Sequence, residues 1–121
     1  MADVQPDLTV YRILRPAEWA GLAREGVFEG SDSDRRDGFI HFSRKHQLAE
    51  TARAHFADET RIVLLEVSTG DLIDFMNWEE SRGGELFPHL YGTFGMDDVR
   101  RVWELEREGG DWPWPKEFRG A

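Results

Sequence analysis

Residues 37–43, Asp-Gly-Phe-Ile-His-Phe-Ser, carry the first of two sets of side chains that could do chemistry. Ile40 and Phe42 are apolar and should face the core. Because successive strand residues point to opposite faces, His41 and Ser43 should then lie side by side on the other face. An imidazole and a hydroxyl held in this way could bind a sugar diol. The alternative is that His41 ties down the preceding acidic segment through Asp37.

The second set lies in residues 78–92, where acidic, basic and aromatic side chains surround a glycine pair. Gly83-Gly84 lets the backbone approach a ligand closely or adopt a conformation closed to other residues. If the chain after this pair is extended, Glu85, Phe87 and His89 share one face. A carboxylate on that face could stabilise positive charge that develops during a reaction.

Four other residues of this segment have two interpretations each. Arg82 could bind a diphosphate through both arms of its guanidinium group, or form a salt bridge with a glutamate of the same segment. Trp78 and Phe87 could enclose a planar ring, or they could belong to the core. Tyr91 could stack on a ligand or be a buried packing residue. The residue types alone leave these alternatives open.

The strands that must position these segments are predicted from β-branched and apolar residues. They cover residues 8–14, 39–42, 61–67 and 99–105. Residues 61–67 are almost continuously apolar, which is typical of a strand in the centre of a sheet. A helix over residues 97–106 is the alternative for the last strand, and residues 72–78 are predicted to be extended or to form a strand with a turn.

Two helices are predicted from apolar spacing and from end signals. The first covers residues 17–25, between Pro16 and Gly26, and the second covers residues 45–56. Residues 30–38, which contain little but Ser, Asp, Arg and Gly, are predicted to form a polar loop.

The length of 121 residues suits a single domain, with a core over about residues 8–106 and an aromatic, proline-rich tail over residues 109–121. A hydrophobic share of 40% and five tryptophans are enough for a real core, and the tail tryptophans should pack against it. The absence of cysteine excludes disulfides, thiolate zinc sites and cysteine nucleophiles. The first residues do not resemble a signal peptide and no stretch approaches the ~20 apolar residues of a membrane helix, so we expect a soluble cytoplasmic protein.

The charge balance argues against a nucleic-acid partner. The formal net charge is −9, and binding a phosphate backbone needs clustered basic residues that replace counterions. Arginines do cluster in places, but acidic residues surround them. A pocket for one anionic small molecule is compatible with this balance, whereas a long nucleic-acid groove or a membrane surface is not expected.

The two segments, residues 37–43 and 78–92, resemble the two signatures of a family of bacterial and plant proteins known as domain of unknown function 952. The resemblance runs from about Val10 to Leu105. That family resembles the ADP-ribosyltransferase fold. The resemblance therefore implies an α+β domain with a small split, mostly antiparallel β-sheet of five or six strands and two flanking helices.

The same resemblance implies NAD or a related nucleotide as the ligand, with no metal. His41 and Ser43 would hold a ribose, and Arg82 would hold the phosphates. Glu85 would stabilise the oxocarbenium-like state as the glycosidic bond breaks, with His41 beside it in the catalytic site. Further ligand contacts would come from Trp78 and Tyr91. Glu79 is the alternative for the catalytic glutamate.

Three functions follow as hypotheses. The first is an ADP-ribosyl transferase or NAD glycohydrolase. The second is a non-catalytic module that binds a nucleotide or metabolite, which is favoured because residues 56–78 contain no convincing stacking tyrosine or Ser-Thr-Ser strand. The third is a metal-dependent hydrolase with His41, His89 and Glu85 as ligands, since imidazole and carboxylate suit zinc or iron.

Overall fold

The computed structural model of the chain describes residues 8–118, and the side chain of Arg82 lies outside the description. The strands are β1 (Thr9–Leu14), β2 (Val27–Phe28), β3 (Ile40–His41), β4 (Arg61–Ser68), β5 (Met76–Glu80), β6 (Leu86–Leu90), β7 (Phe94–Gly95) and β8 (Val99–Glu106). The α-helices are α1 (Pro16–Glu25), α2 (Asp32–Asp37) and α3 (Leu48–His55). Short 3₁₀ turns are formed by Lys45–Gln47, Gly70–Phe75, Arg82–Gly84, Met96–Asp98 and Lys116–Phe118.

The described strands pair antiparallel throughout. β4 lies between β1 and β8 in one sheet, β6 lies between β3 and β5 in a second, and β2 pairs with β7. The two larger sheets meet at β1, where the backbones of Tyr11 and Ser43 exchange hydrogen bonds of 2.9 and 2.8 Å. The small, mostly antiparallel α+β architecture is therefore confirmed, as is the central position of residues 61–67.

The sheet of β1, β4 and β8 is covered on both faces, which explains why β4 is apolar along its length. Alternate residues of β4 belong to two separate hydrophobic clusters. The first cluster contains Leu22 of α1 and Leu90 of β6. The second contains Leu48 of α3 and Trp112 of the tail. Burial of Trp112 confirms that this tail residue packs against the body, while residues 119–121 of the predicted tail lie outside the description.

The prediction of a polar loop over residues 30–38 is wrong, because part of this segment forms helix α2. Oγ of Ser31 accepts a hydrogen bond from the backbone N of Asp34, and the carboxylate of Asp34 accepts one from the backbone N of Ser31. This reciprocal cap provides hydrogen-bond acceptors for backbone N–H groups at the start of the helix. Gly38 ends the helix in a left-handed conformation with a φ of 89°. The described residues thus contain three α-helices rather than two.

Other boundaries differ in smaller ways. Residues 72–78 form a strand with a turn, the second of the two alternatives predicted for them, and divide between the turn Gly70–Phe75 and the start of β5. The turn forms because the chain folds back after β4, where the backbone N of Leu72 donates to the carbonyl of Thr69. The second predicted helix begins as the turn Lys45–Gln47 and continues as α3. The last segment forms strand β8, as predicted, and not the alternative helix.

Candidate functional site

A cavity of about 410 Å³ is lined by β1, α2, β3, α3 and β6, and it contains side chains from both segments that the sequence singles out. Its polar lining includes Arg12, Asp34, Asp37, His41 and His89. The volume falls within the range of about 300–1,000 Å³ that is typical of small-molecule sites. We therefore take this cavity as the candidate functional site.

Asp34, only 2% exposed, is the most deeply buried charge of the cavity lining. One carboxylate oxygen accepts hydrogen bonds from Nη1 of Arg12 at 2.9 Å and from the backbone N of His41 at 3.1 Å. The other accepts from the backbone N of Ser31 at 2.7 Å. Burial alone would raise the pKa of Asp34, but the bonds from His41 and Arg12 and the charge of Arg12 hold this pKa well below its usual value. The carboxylate is therefore ionised and fully partnered.

The ring of His41 is occupied on both sides by carboxylates of α2. Its Nδ1 lies 2.6 Å from Oδ1 of Asp34, and its Nε2 lies 2.9 Å from Oδ2 of Asp37. Each ring nitrogen of His41 is thus within hydrogen-bond distance of a carboxylate oxygen. This arrangement favours the interpretation in which His41 ties down the acidic segment before it. A ligand that binds a ring nitrogen of His41 must first displace a carboxylate.

Ser43 is buried in the lining of the same cavity, as the strand alternation predicts. Its backbone is fixed by the bridge to Tyr11, and its Oγ lies 3.0 Å from Oγ1 of Thr51 on α3. Both Ser43 and Thr51 line the cavity. The structure thus brings His41 and Ser43 to one cavity.

His89, on β6, contacts a different carboxylate. Its Nδ1 lies 2.7 Å from Oε1 of Glu79 on β5, and the hydroxyl of Tyr91 donates to both oxygens of the same carboxylate, at 2.8 and 3.0 Å. Glu79 and His89 meet because β5 and β6 pair with Glu79 opposite Phe87, which leaves His89 as the diagonal neighbour on that face.

The protonation of this pair follows from its surroundings. Burial lowers the pKa of His89 by more than its bond to Glu79 raises it. The hydrogen bonds from His89 and Tyr91 lower the pKa of Glu79, and the bond to Glu79 raises the pKa of Tyr91. The pair is therefore a neutral imidazole that donates from Nδ1 to an ionised carboxylate, which leaves Nε2 without a proton.

Phe39 joins the two histidines. Its ring stacks on His89 with centroids 4.0 Å apart, and it also contacts His41 at 4.7 Å and Tyr91 at 5.2 Å. The two imidazoles meet edge to face, with centroids 5.6 Å apart. Phe39 thus fixes the relative position of both rings.

The structure places Glu85 outside this arrangement. Strand β6 begins at Leu86, so the alternation that puts Phe87 and His89 on one face does not extend to Glu85. The Glu85 side chain is exposed, and it accepts hydrogen bonds from Nε2 of His46 at 2.8 Å and from Gln47 at 3.3 Å. Glu85 is not among the described residues that line the cavity.

The other predicted ligand-binding residues have separate environments. Trp78 is half-buried and packs against the first hydrophobic cluster, which is the core interpretation. Tyr91 is 42% exposed, and it reaches the site through its hydrogen bonds to Glu79 and its ring contact with Phe39. Arg82 lies in the turn between β5 and β6, and its side chain is outside the described part of the chain. The glycine pair beside it has positive φ angles of 65° and 76°, as the sequence suggested.

The three side chains considered as metal ligands do not converge. His41 contacts Asp34 and Asp37, whereas Glu85 contacts His46. Across residues 8–118, no group of three or more His, Asp and Glu side chains is arranged to hold a metal ion.

Sequence reasoning missed two residues that build the site, Arg12 and Asp34. Arg12 could have been found because it is a charged residue inside an otherwise apolar strand, and such a residue needs a buried partner. Asp34 could have been found from Ser31-x-x-Asp34, a capping pattern that predicts a helix start. Phe39 gave no comparable signal.

The comparisons with known proteins agree with this architecture. The chain matches the model of the protein family of unknown function DUF952 over residues 13–102, and it therefore belongs to that family. No curated protein matches it. No helix within the described residues is long and apolar enough to cross a membrane.

Solved structures of protein CC0527 from Caulobacter crescentus are similar to this chain. The crystal structure is 40% identical, covers 88% of this chain and 93% of its own, and superposes with a TM-score of 0.81. The solution NMR structure has the same identity, covers 88% of this chain and 92% of its own, and gives a TM-score of 0.76.

Proposed function

We propose that the cavity binds a nucleotide or a related metabolite, with NAD and ADP-ribose as the first ligands to test. The proposal rests on the lining, which combines hydroxyl groups with guanidinium groups around aromatic walls. Hydroxyls and imidazoles pair with ribose, and guanidinium groups pair with phosphate. The hydroxyl and guanidinium side chains concerned are those of Ser31, Ser33, Ser43, Thr51, Arg15 and Arg36.

The enzymatic form of the proposal assigns the reacting carboxylate to Glu79 rather than to Glu85. Glu79 bonds a histidine of the cavity lining, whereas Glu85 pairs with His46 on the exposed surface. The reaction would be transfer or hydrolysis of an ADP-ribosyl group, as the resemblance to ADP-ribosyltransferases implies. Arg82 stays a predicted phosphate ligand.

A non-catalytic binding module is the second candidate function. It is favoured by the exposed position of Glu85, because the glutamate that the family resemblance assigns to the reacting centre does not line the cavity. In this case the cavity would bind the nucleotide without turnover.

An amide chemical-shift titration of labelled protein with NAD, ADP-ribose and nicotinamide tests the binding. Saturable shifts at His41, Ser43 and His89 are expected with the first two ligands. Ser43→Ala should weaken affinity about 2- to 10-fold, the effect of one lost hydrogen bond. Its matched control is Ser68→Ala, which removes a hydroxyl outside the lining and should leave affinity unchanged.

Two results separate the candidates. Release of nicotinamide from NAD by the wild-type protein indicates the enzyme, and saturable binding without release indicates the module. If none of the three ligands shifts any amide resonance at millimolar concentration, both candidate functions are contradicted.

A further inference from the structure

Three histidines line the cavity, and the two that Phe39 contacts, His41 and His89, differ in what their ring nitrogens contact. Both nitrogens of His41 face carboxylates. For His89, the bond from Nδ1 to Glu79 is the one hydrogen bond its ring makes among the described residues. Of the ring nitrogens of His41 and His89, Nε2 of His89 is therefore the one without a carboxylate partner among the described residues.

We infer that Nε2 of His89 is a proton acceptor of the cavity and that it accepts from a hydroxyl group of the bound ligand. The inference rests on the proposed function, because it takes the ligand to be a ribose-bearing nucleotide. It adds a residue that the family resemblance does not assign to the site and an orientation for the ligand, with a hydroxyl directed at β6.

Glu79 orients the ring of His89 and fixes which of its nitrogens is the acceptor. A carboxylate that accepts from Nδ1 fixes the tautomer of the ring and leaves the lone pair on Nε2. When Nε2 takes a proton, the ligand O–H bond breaks, an N–H bond forms, and the electron pair stays on the ligand oxygen. The positive charge that appears on the ring lies 2.7 Å from the ionised carboxylate, which stabilises it.

The surroundings of His89 keep it neutral until a ligand arrives. Phe39 covers one face of the ring and the side chain is 7% exposed. The charged and titratable groups that act on it are Glu79 from β5 and Asp37 from α2, which favour protonation, and His41 from β3, which opposes it. Burial outweighs the carboxylates, so the pKa of His89 is lowered and the free base is present at neutral pH.

The ligand class follows from this acceptor. An unprotonated nitrogen attracts O–H and N–H donors and gives nothing to a ligand that has only acceptor oxygens. ADP-ribose should therefore engage His89, whereas inorganic pyrophosphate, which carries the same diphosphate without hydroxyl-bearing sugars, should not.

The first test uses the ligand-free protein. Nitrogen-15 spectra of the histidine rings at pH 7 should show His89 neutral, with the proton on Nδ1. Glu79→Gln removes the charge behind the ring and should lower the pKa of His89 further. Glu85→Gln is the matched control, because it makes the same change at the exposed pair with His46, and it should leave His89 unchanged. A proton on Nε2, or a charged ring at pH 7, overturns the inference.

The second test adds ADP-ribose or pyrophosphate to the same sample. A shift of the Nε2 resonance with ADP-ribose but not with pyrophosphate is the expected result. If the amides of His41 and Ser43 titrate with ADP-ribose while Nε2 does not move, the acceptor role is wrong and the proposed function stands. If neither the amides nor Nε2 respond at millimolar ADP-ribose, the proposed function and the ribose contact both fail.

Substitution of His89 tests the acceptor role separately from the binding of the diphosphate. His89→Phe keeps a ring against Phe39 and removes both nitrogens, and it should weaken ADP-ribose about tenfold, with no effect on any pyrophosphate binding. His46→Phe is its control and should bind ADP-ribose as the wild type does. Equal losses in both variants, or a loss toward pyrophosphate as well, would contradict the acceptor role.

Discussion

Asp34 shows how one side chain can hold together elements that are distant in sequence. Its carboxylate accepts hydrogen bonds from Arg12 of β1, from His41 of β3 and from the backbone before α2. A buried charge is tolerated only when it is paired and hydrogen-bonded, and here every contact comes from a different element. The same residue caps α2 and orients the His41 ring, so the cavity wall depends on it.

We expect Asp34→Ala to lower the free energy of unfolding by about 3–5 kcal/mol, because it leaves the buried guanidinium of Arg12 without its partner. Urea unfolding at pH 7 measures this. Asp32→Ala changes an exposed aspartate in the first turn of the same helix and should cost only about 0.3–1 kcal/mol. Equal losses in the two variants would show that the effect comes from the helix rather than from the buried network.

At the scale of elements, the tail after β8 completes the second hydrophobic cluster. Trp112 is 6% exposed, and the ring of Phe118 packs edge to face on Tyr11 and Trp103, with centroid distances of 5.2 Å in both cases. Arg101 of β8 donates to Glu117 at 2.7 Å and also holds Glu66 of β4. The tail therefore takes part in covering the outer face of the sheet, although it lies beyond the residues that match the family model.

Removal of the buried tail ring tests this role. Trp112→Ala should lower the free energy of unfolding by about 3–5 kcal/mol, because it leaves a void in the second cluster and ends the contact with the Arg107 guanidinium. Pro113→Ala alters the exposed neighbour and should have a much smaller effect in the same thermal or urea measurement. A Trp112 variant as stable as the wild type would mean that the tail does not contribute to the core.

Over the whole molecule, acidic groups dominate the charge, and several of them titrate abnormally. The bond from Arg101 lowers the pKa of Glu66, the bond from His89 lowers that of Glu79, and the pKa of Asp34 falls well below its ordinary 3.8. Each pKa is lower in the folded protein than in the unfolded chain. The unfolded chain therefore binds more protons as the pH falls below about 4.5, and folding stability decreases in that direction.

The expected profile is a free energy of unfolding that begins to fall below pH 6.5, because the pKa of His89 is also lowered by burial, that falls further below pH 4.5, and that is lost most steeply below pH 3.8. Asp34→Asn should be less stable at neutral pH, but its free energy of unfolding should decline less steeply below pH 3.8. The reason is that the substitution removes the carboxyl whose pKa is lowered most. Urea unfolding between pH 7 and pH 2.5 measures both. Asp32→Asn should keep the wild-type slope, and an Asp34→Asn slope equal to it would contradict this assignment.

The sequence by itself determined the elements whose signals are local. The apolar run of β4 indicated a central strand, Pro16 and Gly26 marked the ends of α1, and the alternation after Asp98 indicated β8 rather than a helix. The conformation of these elements is determined within a few residues, by steric preference and by the burial of one face or of both faces. The pairing of His41 with Ser43 on one face followed from the same alternation.

Only the tertiary structure decided which charged groups meet. Helix α2 has six residues and is fixed by contacts of Asp34 with β1 and β3. No local pattern in the sequence reveals these contacts. That Glu79, and not Glu85, contacts His89 depended on where β6 begins and how it pairs with β5, since a shift of one residue reverses every side chain. Pairing and burial join residues that are distant along the chain. For that reason the contacts of His89 with Glu79 and of His41 with Asp34 became visible only in the folded molecule, whereas the contact of His41 with Asp37 was one of the alternatives that the sequence offered.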